Sequence, residues 1–273
     1  MKKLWIVLLS LALAPLLAGC QLMPSAASPE KARLAQILES GELRVGVSGD
    51  LPPLSMKNRA GELIGLEVDL VTALARAMGI GVRLVETPFP NLLDDLEAGK
   101  LDLVISGLTM TPERNVRVMF AGPYFISGTS LLTKSDELAR VRNPERLDGP
   151  ARKYAALEGS TSAAFVTEVL PQSGLVTTPD YETAIAMVIA GEVDGLIGDF
   201  QACMVGAWRN PDAGLLAVRT PFTIEPLGIA LPPDAPLLLN IVTNYLGTLE
   251  DTGILAQLKA KWLTSGAWLA ELP

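Results

Sequence analysis

The sequence predicts an α/β protein of two similar lobes, each a mostly parallel sheet flanked by helices. Three observations carry that expectation. Beyond residue 41, short β-rich runs alternate with helical patterns, as in parallel sheets built with helical crossovers. Phe89 to Ile105 (FPNLLDDLEAGKLDLVI) lays over Tyr181 to Ile197 (YETAIAMVIAGEVDGLI) without gaps, pairing Phe89 with Tyr181, Ala98-Gly99 with Ala190-Gly191 and Asp102 with Asp194. Each segment reads as a helix, a Gly-containing turn and a buried strand, so two related lobes follow, although any helix-Gly-strand unit has this look. Residues 20 to 273 are also enough for one large α/β unit or two small lobes.

The elements follow in order. Ser28-Pro29-Glu30 supplies an N-cap, a proline at the first helical position and an early acid, with Leu34, Ile37 and Leu38 as the apolar face and Gly41 as the stop. Strands are expected at Leu43 to Val47, Val82 to Glu86, Asp102 to Ser106, Tyr154 to Leu157, Leu175 to Thr177, Gly195 to Ile197 and Leu227 to Leu231. Helices are expected near 67 to 78, 90 to 98, 112 to 116, 162 to 170, 181 to 190, 200 to 208, 236 to 249 and 254 to 263. Glu67 and Asp69 fall in the first turn of a helix whose apolar face is Leu70, Val71, Leu74 and Met78, and are read as acids that suit the helix dipole.

Ahead of these elements, Lys2 and Lys3 precede the apolar run Leu4 to Leu16, which is too short to span a bilayer as a mature helix and reads as a signal peptide over residues 1–19. Leu17-Ala18-Gly19-Cys20 resembles a bacterial lipobox, implying that Cys20 becomes a diacylated (palmitate-type) N-terminus. Gln21 to Ser28 has the small, polar composition of a tether. No later segment is apolar enough for long enough to cross a bilayer, so the lipid alone is expected to hold the protein to a membrane of the cell envelope, facing the periplasm or the exterior.

The sequence contains no histidine. That excludes Ser-His-Asp and Cys-His catalysis and removes the commonest zinc ligand, while carboxylate-only chemistry remains open; neither a metal nor a cofactor is expected. Formal charge is −8, more negative once Lys2 and Lys3 are removed, which does not invite nucleic acid. With Cys20 acylated, Cys203 has no partner for a disulfide.

Chemistry concentrates at the ends of the aligned strands. Ser106-Gly107-Leu108-Thr109-Met110-Thr111-Pro112-Glu113-Arg114 places a helix start directly after small residues, a pattern that offers N–H groups to an anion. Arg114, one turn in, adds a planar fork that suits a carboxylate, though by itself it would more readily be read as pairing with a nearby acid.

LRVGVSGDLPPLSMKNRAGELIGLEVDLVTALARAMG, AGKLDLVISGLTMTPER, FAGPYFISGTSLLTK and EPLGIALP resemble the family 3 extracellular solute-binding proteins, the polar amino acid receptors of ABC importers, across about residues 41 to 264. The resemblance implies a periplasmic-binding-protein fold of type II. Lobe 1 would be residues 29–131 with 225–273 and lobe 2 residues 134–220, with Leu131-Leu132-Thr133 and Thr220 to Glu225 as a two-strand hinge. It implies a monomer that captures an amino acid, delivers it to a membrane permease and does not transform it. Carried over by position, the carboxylate clamp falls on Arg114 with Thr109 and the backbone at Gly107. Further donors fall on Thr161 from lobe 2, and the ammonium acceptor on Asp199, which could equally be an N-cap for the helix after it. Phe89 matches a ring that packs on the ligand side chain, or is simply core. Ser48 stands where relatives that bind basic ligands or glutamine often carry Asp, and Leu51 where an aromatic ring usually lies. A neutral or weakly polar ligand side chain follows, with Asp50 able to replace part of the missing acid.

Cyclohexadienyl dehydratases share the implied fold and are similar through SGDLPPLSM and PFPNLLDDL, so an enzyme acting on prephenate or arogenate is the alternative. Those enzymes use an acid on the helix that begins at the position of Asp199. Phe200-Gln201-Ala202-Cys203 offers none. A sensor or lytic transglycosylase module would need a further domain, and none is expected here.

Overall fold

The computed structural model describes residues 29–272. The expected signal peptide, tether and acylated Cys20 lie outside the described residues. Helix α1 (Pro29–Ser40) leads into β1 (Glu42–Val47) and a small antiparallel sheet of β2 (Asp50–Leu51), β3 (Ser55–Lys57) and β4 (Leu63–Ile64). Next come α2 (Leu66–Ala77), β5 (Gly81–Glu86), α3 (Leu92–Glu97), β6 (Leu103–Val104), the single turn α4 (Pro112–Asn115) and the long strand β7 (Met119–Ser127). The second lobe is built from β8 (Thr129–Thr133), α5 (Asp136–Ala139), β9 (Lys153–Leu157), α6 (Thr161–Val169), β10 (Gly174–Thr178), α7 (Tyr181–Ala190), β11 (Gly195–Asp199), α8 (Phe200–Arg209) and β12 (Leu216–Ala217). The chain then returns to the first lobe through β13 (Glu225–Leu231), α9 (Pro236–Asp251) and α10 (Ile254–Lys259).

Local chemistry explains most of these boundaries. Leu66, Leu70, Val71 and Leu74 recur on one face of α2 and are buried. α7 begins where the Asp180 carboxylate accepts from Thr183 N and ends at Gly191, whose φ of 76° is the left-handed stop that glycine adopts without cost. Ser135, Ser160 and Asp199 cap α5, α6 and α8 in the same way.

The two large sheets have one topology. Their orders are β5-β1-β6-β13-β7 and β10-β9-β11-β8-β12. β6 and β11, where the two aligned sequence segments end, hold the same third place, so the internal similarity corresponds to an architectural repeat.

Each sheet is mixed rather than mostly parallel. β5, β1 and β6 are parallel, as are β10, β9 and β11, whereas β13 and β8 run against their neighbours β6 and β11. The path of the chain is the reason. The parallel strands end at the cleft between the lobes, and a strand arriving from the other lobe starts there, so it runs the opposite way. β7 was not foreseen because Gly122-Pro123 lies in its middle. An edge position in the first sheet tolerates the proline, which has no N–H to donate to a ladder.

The chain leaves the first sheet at Ser127 and joins the second at Thr129, so the crossing sits at Gly128, ahead of the expected Leu131-Leu132-Thr133, which lie buried within β8. The return passes between β12 and β13. The two crossings touch: Thr129 N donates to Thr223 Oγ1 (2.8 Å) and Phe222 N to Thr129 O (2.8 Å). A Cβ on Gly128 would stand 2.2 Å from Thr223 O, so only glycine lets them approach this closely.

Candidate functional site

The eight residues singled out from the sequence, Ser48, Leu51, Phe89, Gly107, Thr109, Arg114, Thr161 and Asp199, all line one cavity between the lobes. Its enclosed part measures about 20 Å³, room for a water molecule, and it continues past Ser48, Phe89 and Tyr181 into an open groove of about 830 Å³. An amino acid is larger than this enclosed part alone.

Arg114 forms one wall. Only 9% of it is exposed, yet among the described residues it forms no salt bridge. Its Nη1 donates to Thr109 O (3.0 Å), its Nη2 reaches across the cleft to Gly159 O (3.1 Å), and its guanidinium lies 5.7 Å from the centroid of the Phe89 ring. Burial lowers its pKa, opposed by the nearby carboxylates Glu225 and Glu113. A buried guanidinium without a carboxylate partner is costly, and an incoming anion relieves that cost. The helix start expected to assist it contributes less than anticipated. α4 is a single turn with a correspondingly small dipole, and Thr111 Oγ1 already accepts from Arg114 N (3.2 Å).

Gly107 is held from below. Its N–H donates to Glu67 Oε1 (2.7 Å), which also accepts from the buried Tyr124 hydroxyl. Glu67 is therefore more than a dipole partner at the start of α2: it is wholly buried and ties that helix to the loop after β6. Burial pushes its pKa up to about 7 against the hydrogen bonds that favour the ionised form, while its Oε2 has no partner.

The opposite wall comes from the second lobe. Asp199 ends β11 and caps α8, with Oδ1 accepting from Gln201 N (2.7 Å) and Oδ2 from Ser127 Oγ (2.6 Å). Both readings of Asp199, cap and cavity carboxylate, thus coexist. Facing the enclosed cavity rather than bulk water, its carboxyl has a pKa raised to about 6, chiefly by burial and partly by Glu225.

Thr109 and Thr161 meet across the cleft with their hydroxyl oxygens 3.4 Å apart, and both donate to Glu225 Oε2, at 2.7 and 2.8 Å. Glu225, read from the sequence only as the end of a hinge, is thus a site residue that sequence reasoning missed. Tyr181 is another. Its hydroxyl accepts from Asp199 N (3.4 Å), and the signal that could have found it was its pairing with Phe89 in the internal repeat. Ser48 N and Oγ engage Ser106 Oγ at 2.9 and 2.8 Å. Asp50 lines the adjoining groove, where its Oδ2 accepts from Tyr181 N (3.3 Å) while its Oδ1 is buried without a partner. Cys203 is buried, with its thiol pKa pushed up by burial. Among the described residues no group of His, Cys, Asp and Glu is arranged to hold a metal.

Comparison with known proteins agrees with this architecture. The sequence model of the bacterial extracellular solute-binding proteins, family 3, matches residues 43–265. The chain is 29% identical to the cyclohexadienyl dehydratase of Pseudomonas aeruginosa over 86% of its own length and 87% of that protein. It is 28% identical to the ABC transporter arginine-binding protein 1 of Escherichia coli over 81% of its length and 90% of that protein. Among solved structures it is similar to the ancestral amino acid-binding protein AncCDT-1, a precursor of cyclohexadienyl dehydratase, with a TM-score of 0.76 and 34% identity over 85% of this chain and 99% of that one.

Proposed function

The chain belongs to the bacterial extracellular solute-binding proteins, family 3, and on that premise we propose that it captures an amino acid between its lobes for an ABC importer. Arg114 holds the ligand's carboxylate and Asp199 its ammonium. Acylated Cys20 anchors the protein, and a membrane permease receives the ligand. The observation that carries the reading is a buried cation from one lobe and a half-buried carboxylate from the other, facing one cavity without being paired to each other. A zwitterion answers both charges at once, and a plain anion or a sugar answers at most one.

Capture and turnover are separated by experiment. Calorimetric titration of the protein with the L-amino acids should identify a ligand that Arg114→Ala no longer binds. Failure of every amino acid to bind would sink the proposal.

The second reading, a dehydratase, is favoured by one observation: Glu225 supplies a carboxyl group in the cavity that the helix after Asp199 lacks. Its two oxygens accept from four threonine hydroxyls, which makes it an acceptor rather than the proton donor that loss of a hydroxyl leaving group needs. Incubation with prephenate or arogenate is expected to give no product. Turnover abolished by Glu225→Gln would replace the binding assignment with the enzymatic one.

A further inference from the structure

The groove of about 830 Å³ shares Ser48, Phe89 and Tyr181 with the enclosed cavity, so it is the larger space next to the poles at Arg114 and Asp199. Space of that size suits a long side chain better than a short one. Its charges are unbalanced: the carboxylates lining it are Asp50, Glu86, Asp180 and Glu182, and the cations Lys57 and Arg209. Lys57 Nζ stands 2.8 Å from Glu86, Arg209 Nη1 3.8 Å from Glu182, and the Asp180 carboxylate caps α7 by accepting from Thr183 N. Asp50 is left without a cation among the described residues. Its Oδ2 receives one N–H, from Tyr181 of the other lobe at 3.3 Å, and its Oδ1 is buried with no partner. Burial raises its pKa, as it does for a carboxylate short of compensation. Asp50 is fixed to the first lobe by β2, where it pairs with Met56 of β3.

We infer that Asp50 is a specificity-determining residue that receives the cationic end of a long ligand side chain in the groove, so that the ligand class is the amino acids ending in an ammonium or guanidinium. The inference rests on the amino acid reading and deepens it. Arg114 and Asp199 hold the α-groups, and the side chain leaves between Ser48, Phe89 and Tyr181 toward Asp50. A cationic end brings the N–H donors that Oδ1 lacks and offsets a charge that has lost water, whereas a neutral side chain of the same length does neither. Ser48 alone suggested a neutral or weakly polar side chain. The acid missing at 48 is supplied two residues later, from the part of the site that has room for a long side chain.

The test is calorimetric titration of the full-length protein in detergent with two matched pairs: L-lysine against L-norleucine, and L-arginine against L-citrulline. Within each pair the side chains have similar length and only the first carries a positive charge. Wild type should prefer the charged member of at least one pair by roughly tenfold or more, a comparison that needs no variant. Asp50→Asn keeps the size and an acceptor oxygen but removes the charge, and it should cut that preference roughly tenfold or more, mainly by weakening the charged member. If wild type binds the neutral members as tightly as the charged ones, or binds only other amino acids, this inference falls while the amino acid reading stands. If Asp50→Asn weakens both members of a pair equally, Asp50 serves only as a link between the lobes through Tyr181, and the inference also falls. If the preference survives Asp50→Asn in full, another group receives the cation and Asp50 loses the role. Failure of every L-amino acid to bind wild type would instead remove the amino acid reading itself, a result distinct from the other three.

Discussion

Asp199 and Glu225 exchange the hydroxyls of the segment that runs between them. Ser127 lies opposite Glu225 in the first sheet but donates to Asp199, and Thr129 lies opposite Asp199 in the second sheet but donates to Glu225, each at 2.6 Å. The crossing at Gly128 therefore fixes two cavity carboxylates relative to each other. The geometry of the crossing and the lining of the cavity share the same residues.

Asp199→Asn removes the charge while keeping the size and an acceptor for the α8 cap. Because closure strips water from the ion pair, affinity for an amino acid should fall by about 2 to 5 kcal/mol, roughly thirtyfold to several thousandfold. Calorimetry with the variant still folded checks this. Wild-type affinity would remove Asp199 from the ammonium site.

Binding should also depend on pH. The Asp199 carboxyl titrates near 6 in the ligand-free protein, and only its ionised form receives an ammonium. Affinity should hold above about pH 7 and drop roughly tenfold for each pH unit below 6, while the ligand's own groups keep their charges. A flat profile between pH 5 and 8 would contradict the role given to Asp199.

Glu67 gives a stability signature of its own. Its pKa is raised in the folded protein to about 7, so the proton it binds stabilises the fold fully below its ordinary value near 4.5, and that contribution is lost as pH rises through 7. Asp199 acts in the same direction at lower pH. Chemical unfolding should find the wild type less stable at pH 8 than at pH 5, by up to about 3 kcal/mol from Glu67. Glu67→Gln should remove most of that difference.

Gly128→Ala places a methyl group against the Thr223 carbonyl and must push the two crossings apart. A loss of about 1 to 3 kcal/mol in stability is expected, together with weaker ligand binding, because Thr129 and Thr223 would no longer hold Glu225. Small-angle scattering on wild type with and without ligand supplies the reference: the ligand should compact the molecule through rotation about these crossings. Unchanged stability and binding in Gly128→Ala would show that the close approach is dispensable.

Much of the fold was legible because its signals are local: the apolar face of α2, the caps at Ser160, Asp180 and Asp199, and the stop at Gly191. β7 was hidden by Gly122-Pro123, which reads as a break and is tolerated only on an edge, a fact of tertiary arrangement. Arg114 and Asp199 were legible through the strand-end motifs and the family they resemble. Glu67 was not, since an acid in a first helical turn has an adequate local explanation and only folding reveals that it points inward to Gly107. Glu225 was the least visible, because its partners Thr109 and Thr129 lie 116 and 96 positions away in the chain and no spacing rule connects them.

The crystal structure of the protein with its tightest-binding amino acid tests the central claim most directly. The account predicts the α-carboxylate within about 3.2 Å of the Arg114 guanidinium nitrogens and the α-nitrogen within the same distance of an Asp199 carboxylate oxygen, with the lobes closed over both. A ligand whose poles are reversed, or that touches neither residue, would contradict it.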